Sequence, residues 1–184
     1  MKNRAVFLDR DGTLNVDPGY LADPDKLRLI DGVGEALSRL KALGYKLAVV
    51  SNQSGVSRGL IVADQIPRIN ARLNELLEPF SVRIEHFEMC FLMPDDPASR
   101  RKPKPDLIQA AARALDVDIS RSFMVGDKAS DVRAGRAAGC LGSALVLTGN
   151  GAHARRQLSM GEADFIGADL TEVSRWIEAK TASS

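Results

Sequence analysis

The stretch Ala5-Val6-Phe7-Leu8-Asp9-Arg10-Asp11-Gly12-Thr13 decides the fold. Its first four residues are apolar and have the length of a strand, and two carboxylates follow before an Asp-Gly turn signal. A strand that ends at Asp9 would leave one carboxylate at its tip and carry the other onto the next loop. Such a pair predicts covalent phosphoryl transfer, in which Asp9 attacks phosphorus and Asp11 serves as general acid and base. The alternative is an ordinary Asp-rich turn.

Apolar runs of strand length recur along the chain, and helical patterns separate them. We predict strands over 5–8, 47–50, 86–93, 122–125 and 144–147, with an edge strand at 163–166. Apolar spacing predicts helices over 34–43, 63–77, 106–115 and 131–138, and a C-terminal helix with the stripe Leu170, Val173, Trp176 and Ile177. Alternating strands and helices form βαβ units. The sequence therefore predicts an α/β fold with a doubly wound, mostly parallel sheet that is covered on both faces.

Length and composition restrict the organisation and the partners of the chain. Its 184 residues, 45% of them hydrophobic, predict one domain over 1–178 and a flexible tail over 179–184. The 25 basic and 24 acidic residues leave a net charge of +1, which argues against nucleic-acid or membrane partners. Two cysteines, Cys90 and Cys140, are expected to be free thiols. Without a signal-like or membrane-spanning segment, we expect a cytoplasmic protein, and a monomer.

Polar residues follow three of the predicted strands, at 9–11, 51–53 and 126–128. Because ligands of such sheets bind outside the carboxyl ends of the strands, these segments are expected to meet in one crevice. The Ser51 hydroxyl and the side chains of Asn52, Gln53 and Ser54 could hold phosphate oxygens there. An ordinary Ser/Asn-rich turn is the alternative for this segment taken alone.

The segment Arg101-Lys102-Pro103-Lys104-Pro105 combines basic residues with prolines that favour an extended backbone. An extended backbone would project Lys102 rigidly. A lysine in the crevice would neutralise both the attacking carboxylate and the transferred phosphoryl group. A solvated basic loop is the alternative.

The segment Gly126-Asp127-Lys128-Ala129-Ser130-Asp131 lies where a predicted strand gives way to a helix. We interpret Asp127 as a ligand of a hard divalent cation, Mg²⁺, which prefers oxygen ligands. Asp9 would add a carboxylate and Asp11 its backbone carbonyl, so the predicted metal ligands are Asp9, Asp11 and Asp127. Asp131 would orient a ligand or Lys128 from behind them. Alternatively, Asp131 is only a helix N-cap.

The chain resembles the haloacid dehalogenase (HAD) superfamily of aspartyl-phosphate phosphotransferases, which has four motifs in a fixed order. The matching segments here are Asp9-Arg10-Asp11-Gly12-Thr13, Ser51, Lys102, and Gly126-Asp127 with Asp131. The second aspartate, Asp11, resembles the phosphatase branch. The resemblance implies a HAD-like Rossmannoid three-layer sandwich. In this superfamily a cap domain is inserted after the first motif or between the second and third, and neither gap is long enough here, so no separate cap domain is expected.

The chain is most similar to the family of heptose bisphosphate and histidinol-phosphate phosphatases, whose pattern extends over most of its length. That resemblance implies substrate contacts by Asp17, Pro18, Gly19, Tyr20, Ser51, Asn52, Gln53, Ser54, Arg101, Lys102 and Lys128. Arg58, Arg101 or Lys128 could hold a second phosphate. The expected partner is thus a small phosphorylated metabolite, a sugar bisphosphate.

One departure concerns a zinc-binding loop of Cys and His residues, which members of this family usually carry just before the Arg-Lys-Pro segment. Here the segment 90–100 retains only Cys90 and has no histidine. One thiol cannot form a closed tetrahedral site, so we predict no structural zinc.

The sequence as a whole predicts a Mg²⁺-dependent phosphomonoester hydrolase with an aspartyl-phosphate intermediate and heptose bisphosphate as the favoured substrate. A histidinol-phosphatase or another small-metabolite phosphatase is the alternative. A polynucleotide 3′-phosphatase fits the near-neutral charge less well. A non-enzymatic phospho-binding module would require the loss of a catalytic group, and all are present.

Overall fold

In the part of the chain that the structure describes, six parallel strands form one sheet. The computed structural model of the chain describes residues 3–182. The strands are β1 (Arg4–Leu8), β2 (Tyr45–Asn52), β3 (His86–Cys90), β4 (Phe123–Gly126), β5 (Gly142–Val146) and β6 (Phe165–Gly167). They lie in the sheet in the order β3-β2-β1-β4-β5-β6. The helices are α1 (Val33–Ala42), α2 (Gln65–Leu77), α3 (Asp106–Leu115), α4 (Ala129–Ala138), α5 (Gly151–Ala154) and α6 (Leu170–Ala182).

Helices cover both faces of the sheet because alternate residues of each strand point to opposite sides. Val6 and Leu8 of β1 pack in one apolar cluster with residues of α1, α2 and α6. Ala5 and Phe7 pack in a second cluster with residues of α3 and α4. The predicted doubly wound, three-layer α/β fold is therefore confirmed.

The described residues, 3–182, contain no separate cap domain. The connection from β1 to α1 holds only the 3₁₀ turn Pro24–Lys26, and the connection from β2 to β3 holds α2 and the short 3₁₀ turn Glu78–Phe80. Within the same residues, no helix has the length and apolar composition needed to cross a bilayer.

Most element boundaries differ from the sequence-based expectation by a few residues, and three of the differences change an interpretation. Strand β3 ends at Cys90 rather than at 93. The Cys90 carbonyl accepts a hydrogen bond from the backbone N–H of Gln53 at 2.7 Å. Helix α4 begins at Ala129, so Asp131 is its third residue and not the N-cap. Helix α6 continues to Ala182, so 179–182 are helical where fraying was expected, while 183–184 lie outside the described residues. That one domain spans 1–178 stays a prediction.

The order of the strands determines where a site can form. Strands β2 and β4 lie on either side of β1, so the chain winds outward in opposite directions from the boundary between β1 and β4. A crevice opens at the carboxyl ends of strands at such a point. Asp9 directly follows β1 and Asp127 directly follows β4.

Candidate active site

Asp9 and Lys102 form the buried centre of the site. Lys102 Nζ lies 2.9 Å from Asp9 Oδ1 and 2.6 Å from Asp131 Oδ1, and it donates to the Val50 carbonyl at 2.7 Å. Burial by itself would raise the pKa of Asp9, but the nearby ammonium groups of Lys102 and Lys128 hold it well below its usual range. Asp131 and Asp9 in turn raise the pKa of Lys102 against the effect of burial. Both groups are therefore charged, which leaves the Asp9 carboxylate in the form that a nucleophile requires.

A second ammonium, that of Lys128, lies on the opposite side of Asp9. Lys128 Nζ is 3.3 Å from Asp9 Oδ2, 3.2 Å from Asp127 Oδ1 and 3.4 Å from the backbone carbonyl of Asp11. These carboxylates raise the pKa of Lys128 although burial opposes its charge. The two lysines thus divide the Asp9 carboxylate between them, one on each oxygen.

Asp127 lies in a cradle of two glycines. A Cβ on Gly12 would come within 2.2 Å of Asp127 Oδ2, and one on Gly149 within 2.4 Å, so only residues without a side chain fit here. The same oxygen accepts from the Asn150 amide at 2.8 Å. Burial and the nearby Asp9 raise the pKa of Asp127 to about 7, although Lys128 opposes the shift. A divalent cation at this point would favour the ionised form.

The donor set fits magnesium. One carboxylate oxygen from each of Asp9, Asp127 and Asp131 lies within 4.8 Å of the others, and all three residues are buried. Both oxygens of Asp131 are already engaged, Oδ1 by Lys102 and Oδ2 by the Lys128 amide at 2.8 Å. Asp9 and Asp127, with the Asp11 carbonyl, are therefore the oxygen atoms best placed for Mg²⁺. Asp131 holds Lys102 behind them.

Three neighbours fix the side chain of Asp11. Arg10 donates to both carboxylate oxygens, at 3.1 and 2.9 Å, while Asn15 donates to Oδ1 at 3.0 Å and Gln53 to Oδ2 at 2.8 Å. Burial works toward a higher pKa for Asp11, but Arg10, Gln53 and Asn15 together hold the pKa below its usual value. These contacts orient the carboxylate and stabilise its ionised form.

The segment after β2 connects the parts of the site. Gln53 also donates to the Ser51 hydroxyl at 2.9 Å, which joins Ser51 to Asp11. The Asn52 amide instead binds the backbone of Lys102, donating to its carbonyl at 3.1 Å and accepting from its amide at 3.0 Å. The side chain of Asn52 thus holds the Lys102 segment in place.

A crevice of about 290 Å³ opens above these groups. Thirteen of the residues predicted for the site line it: Asp9, Asp11, Asp17, Gly19, Tyr20, Ser51, Asn52, Gln53, Ser54, Arg101, Lys102, Lys128 and Asp131. Pro18 and Arg58 lie outside this lining, and Asp127 lies beneath it against Lys128. The structure therefore brings together nearly all of the predicted site residues.

Several residues that contribute to the site were missed by the sequence analysis. Arg10 and Asn15 were not singled out, since only the folded chain turns them onto Asp11. Gly149 and Thr148 come from beyond β5, where Thr148 Oγ1 donates to the Gly12 carbonyl at 2.7 Å. The Gly12-Thr13 turn was an available signal, but no local pattern points to its partner 136 positions away.

Hydrogen bonds close the loop at 90–100, for which the sequence predicts no structural zinc. Cys90 Sγ lies 3.6 Å from Ser99 Oγ, and Lys104 Nζ donates to the Ser99 carbonyl at 2.7 Å. Asp96 Oδ1 accepts from the Ala98 amide at 2.8 Å, which forms a local turn. Among residues 3–182, the Asp9, Asp127 and Asp131 group is the cluster of metal-ligand side chains, and it includes no residue of this loop.

Comparison with known proteins gives the family. Residues 15–139 match the model of the haloacid dehalogenase-like hydrolases. D-glycero-beta-D-manno-heptose-1,7-bisphosphate 7-phosphatase of Pasteurella multocida is 40% identical over 152 residues, covering 79% of this chain and 83% of that protein. The D-glycero-alpha-D-manno-heptose-1,7-bisphosphate 7-phosphatase of Burkholderia mallei is 38% identical over 154 residues, covering 80% and 81%.

A solved structure gives the same result. The D,D-heptose 1,7-bisphosphate phosphatase from B. bronchiseptica, complexed with magnesium and phosphate, superposes with a TM-score of 0.88 at 31% identity and covers 96% of this chain and 99% of that one. The protein is an enzyme, a phosphatase. The chain belongs to the haloacid dehalogenase-like hydrolase family.

Proposed function

We propose that the chain is a Mg²⁺-dependent D-glycero-D-manno-heptose 1,7-bisphosphate 7-phosphatase, in the synthesis of heptose precursors of lipopolysaccharide, that acts through an aspartyl phosphate on Asp9. The observation that carries the chemistry is Asp9, ionised and buried between Lys102 and Lys128, with Asp11 facing the same crevice. The substrate rests on the similarity to the relatives, which are named for this reaction.

The metal has a defined role in this proposal. Asp9 and Asp127 would hold Mg²⁺ with their carboxylates and Asp11 with its backbone carbonyl. When bound, the ion supplies positive charge that offsets the charge of the transferred phosphoryl group. The all-oxygen donor set supports this assignment, as does the magnesium with which the B. bronchiseptica phosphatase is complexed.

The proposed reaction has two steps, and side chains of the site act in each. First, an Asp9 oxygen attacks phosphorus and the ester bond breaks, while Asp11, which takes up a proton when the negative charge of the substrate phosphate lies beside it, gives that proton to the departing sugar oxygen. Lys102 reduces the repulsion between the two anions as they approach. Second, Asp11 takes a proton from a water that attacks the acyl phosphate, which restores Asp9 and releases phosphate. The contacts from Arg10, Asn15 and Gln53 stabilise the Asp11 carboxylate between these steps.

The crevice offers positive charge for a second phosphate. Arg101 and Lys128 both line it, whereas the exposed Arg58 lies outside the lining and is the weaker candidate of the three. Ser51, Gln53 and Ser54 provide hydroxyl and amide groups for the transferred phosphate. A sugar bisphosphate fits this distribution of charged and polar groups, because one phosphate can reach Asp9 while the other remains near the guanidinium group of Arg101.

Substrate comparison tests the proposal. We expect kcat/KM with Mg²⁺ to favour one or both anomers of heptose 1,7-bisphosphate over histidinol phosphate and a 3′-phosphorylated oligonucleotide by at least about tenfold, roughly 1.4 kcal/mol. The two anomers are compared because the relatives include an enzyme named for each. A preference of this size for another compound would reject the substrate. No turnover of any phosphoester, or of acetyl phosphate, by folded protein with Mg²⁺ would instead favour a phospho-binding module.

The proposed enzyme is a cytoplasmic monomer without structural zinc. The hydrogen bonds of Ser99 to Cys90 and Lys104 support the absence of zinc, since they close the loop without a metal. Metal analysis of the purified protein should find far less than one zinc per chain, and light scattering should give the mass of one chain. Stoichiometric zinc that resists dialysis would contradict this part of the proposal.

A further inference from the structure

The Lys128 ammonium contacts one oxygen from each of the three groups that are proposed to hold magnesium. Its Nζ is 3.2–3.4 Å from Asp127 Oδ1, Asp9 Oδ2 and the Asp11 carbonyl. The other lysine of the site makes different contacts, because Lys102 takes Asp9 Oδ1, Asp131 and the Val50 carbonyl. Lys128 therefore contacts all three of the proposed magnesium ligands, whereas Lys102 contacts only Asp9 among them.

We infer that Lys128 is an exchangeable counter-cation of the metal site, which gives up its three oxygens when Mg²⁺ binds and moves toward the crevice. The inference rests on the proposed Mg²⁺ dependence and deepens it. Mg²⁺ holds its ligands at about 2.1 Å in a strict octahedral geometry. Two cations cannot contact the same three oxygens together, because they repel each other at such short range. Binding of the ion and retention of the Lys128 contacts are therefore alternatives.

The surroundings of Lys128 allow the movement. Its side chain is 37% exposed, compared with 2% for Lys102. It borders the crevice on one side and, on the other, a groove that is also lined by Ser130 and His153. The flexible lysine stem can therefore turn away from the carboxylates without entering the core. Since the released ammonium stays in the crevice, metal binding would also make a free positive charge available to the substrate phosphate.

Magnesium titration of three proteins without substrate tests the exchange. Calorimetry should show that Lys128→Met binds Mg²⁺ about tenfold tighter than the wild type, because the competing cation is gone. Arg101→Met is the matched control, since it removes one positive charge from the same crevice, and its affinity should change by no more than about threefold. Unchanged or weaker binding by Lys128→Met, or an equal gain in both variants, would overturn the inference. Failure of the wild type to bind Mg²⁺ would instead reject the proposed function.

A measurement on the wild type covers the case in which Lys128→Met does not fold without metal. Amine labelling followed by mass spectrometry should modify Lys128 several times faster with Mg²⁺ than with EDTA, because exchange releases the ammonium. Lys46 and Lys104 are internal references, because neither contacts the proposed magnesium ligands. Their Nζ groups donate to the backbone carbonyls of Leu115 and Ser99, with hydrogen-bond lengths of 2.8 and 2.7 Å. Equal labelling of Lys128 in both conditions, in protein that binds the ion, would overturn the inference.

Discussion

The floor and the rim of the crevice are held in different ways. The floor consists of Asp9, Lys102, Asp127 and Asp131, which are buried and bound to opposite charges or to backbone groups of other segments. The rim consists of 17–21 and 54–61, where Tyr20 and Leu60 are 46% and 51% exposed.

This difference between floor and rim indicates that the floor determines the reaction and the rim determines the choice of substrate. Contacts within the fold already determine the geometry of the floor, so a change there should alter chemistry and stability together. Local turns hold the rim, such as the bond of the Gly19 amide to Asp17 Oδ1 at 2.8 Å. Changes at the rim should therefore alter the choice of substrate and leave both stability and the phosphoryl-transfer step unchanged.

The largest expected effect is at Asp9, the proposed nucleophile. Asp9→Asn should lower kcat by about 10⁴-fold or more, because an amide oxygen cannot form the acyl phosphate. Acid-quenched wild type should carry one phosphoryl group at this position during turnover, and the variant none. Circular dichroism should show that the variant is folded. Turnover near the wild-type rate by folded Asp9→Asn would remove the basis for treating the floor as the reaction centre.

Most of the residues that form the floor could be predicted from the sequence alone. Asp9, Ser51 and Asp127 lie at the ends of predicted strands, and the doubly wound order of those strands is a general rule that brings such ends together. Lys102 was predicted from its proline-flanked segment, although the Asn52 amide that fixes its backbone was assigned to substrate. The sequence shows which groups are present, but not which of them the folded chain uses to hold another.

The remaining parts of the site depend on long-range contacts without a local signal. Arg10 could equally have pointed to solvent, and only the buried turn directs it onto both oxygens of Asp11. Gly149 is required because its backbone approaches Gly12 and Asp127 from a distant segment. The boundary of β3 was also misjudged, since apolar residues continue past Cys90 while the chain has already left the sheet.

The second effect concerns the charge balance of the floor. Lys102→Met should lower the free energy of unfolding by about 3–5 kcal/mol, because Asp9 and Asp131 then remain buried without their shared cation. Urea denaturation in EDTA measures this loss. Lys104→Met, which removes a hydrogen bond to a backbone carbonyl only, should cost about 1 kcal/mol. Lys102→Met/Asp131→Asn should recover part of the loss, and a Lys102→Met protein as stable as the wild type would show that the floor is not held by this pairing.

A smaller effect is expected at the glycine cradle. Gly149→Ala should weaken Mg²⁺ binding by about tenfold, because its Cβ would lie 2.4 Å from Asp127 Oδ2 and displace that carboxylate. Gly139→Ala is the matched control: its φ of +83° would strain an alanine, as would the +55° of Gly149, but no atom lies within 4 Å of the added Cβ. It should lose about 1 kcal/mol of stability and keep its Mg²⁺ affinity. Equal weakening in both variants would attribute the effect to backbone strain.

The smallest effect on the protein itself is expected at the rim, where Tyr20 contacts Gly55 so closely that a Cβ there would lie 2.7 Å from the ring. Tyr20→Ala should raise KM for the sugar bisphosphate about tenfold and leave hydrolysis of acetyl phosphate within about twofold, since the small substrate does not extend to the rim. Its free energy of unfolding should change by no more than about 0.5 kcal/mol. Val62→Ala, exposed and outside the crevice lining, should change neither substrate. A parallel loss of both activities in Tyr20→Ala would mean that the rim positions the reacting groups, and the division between floor and rim would then fail.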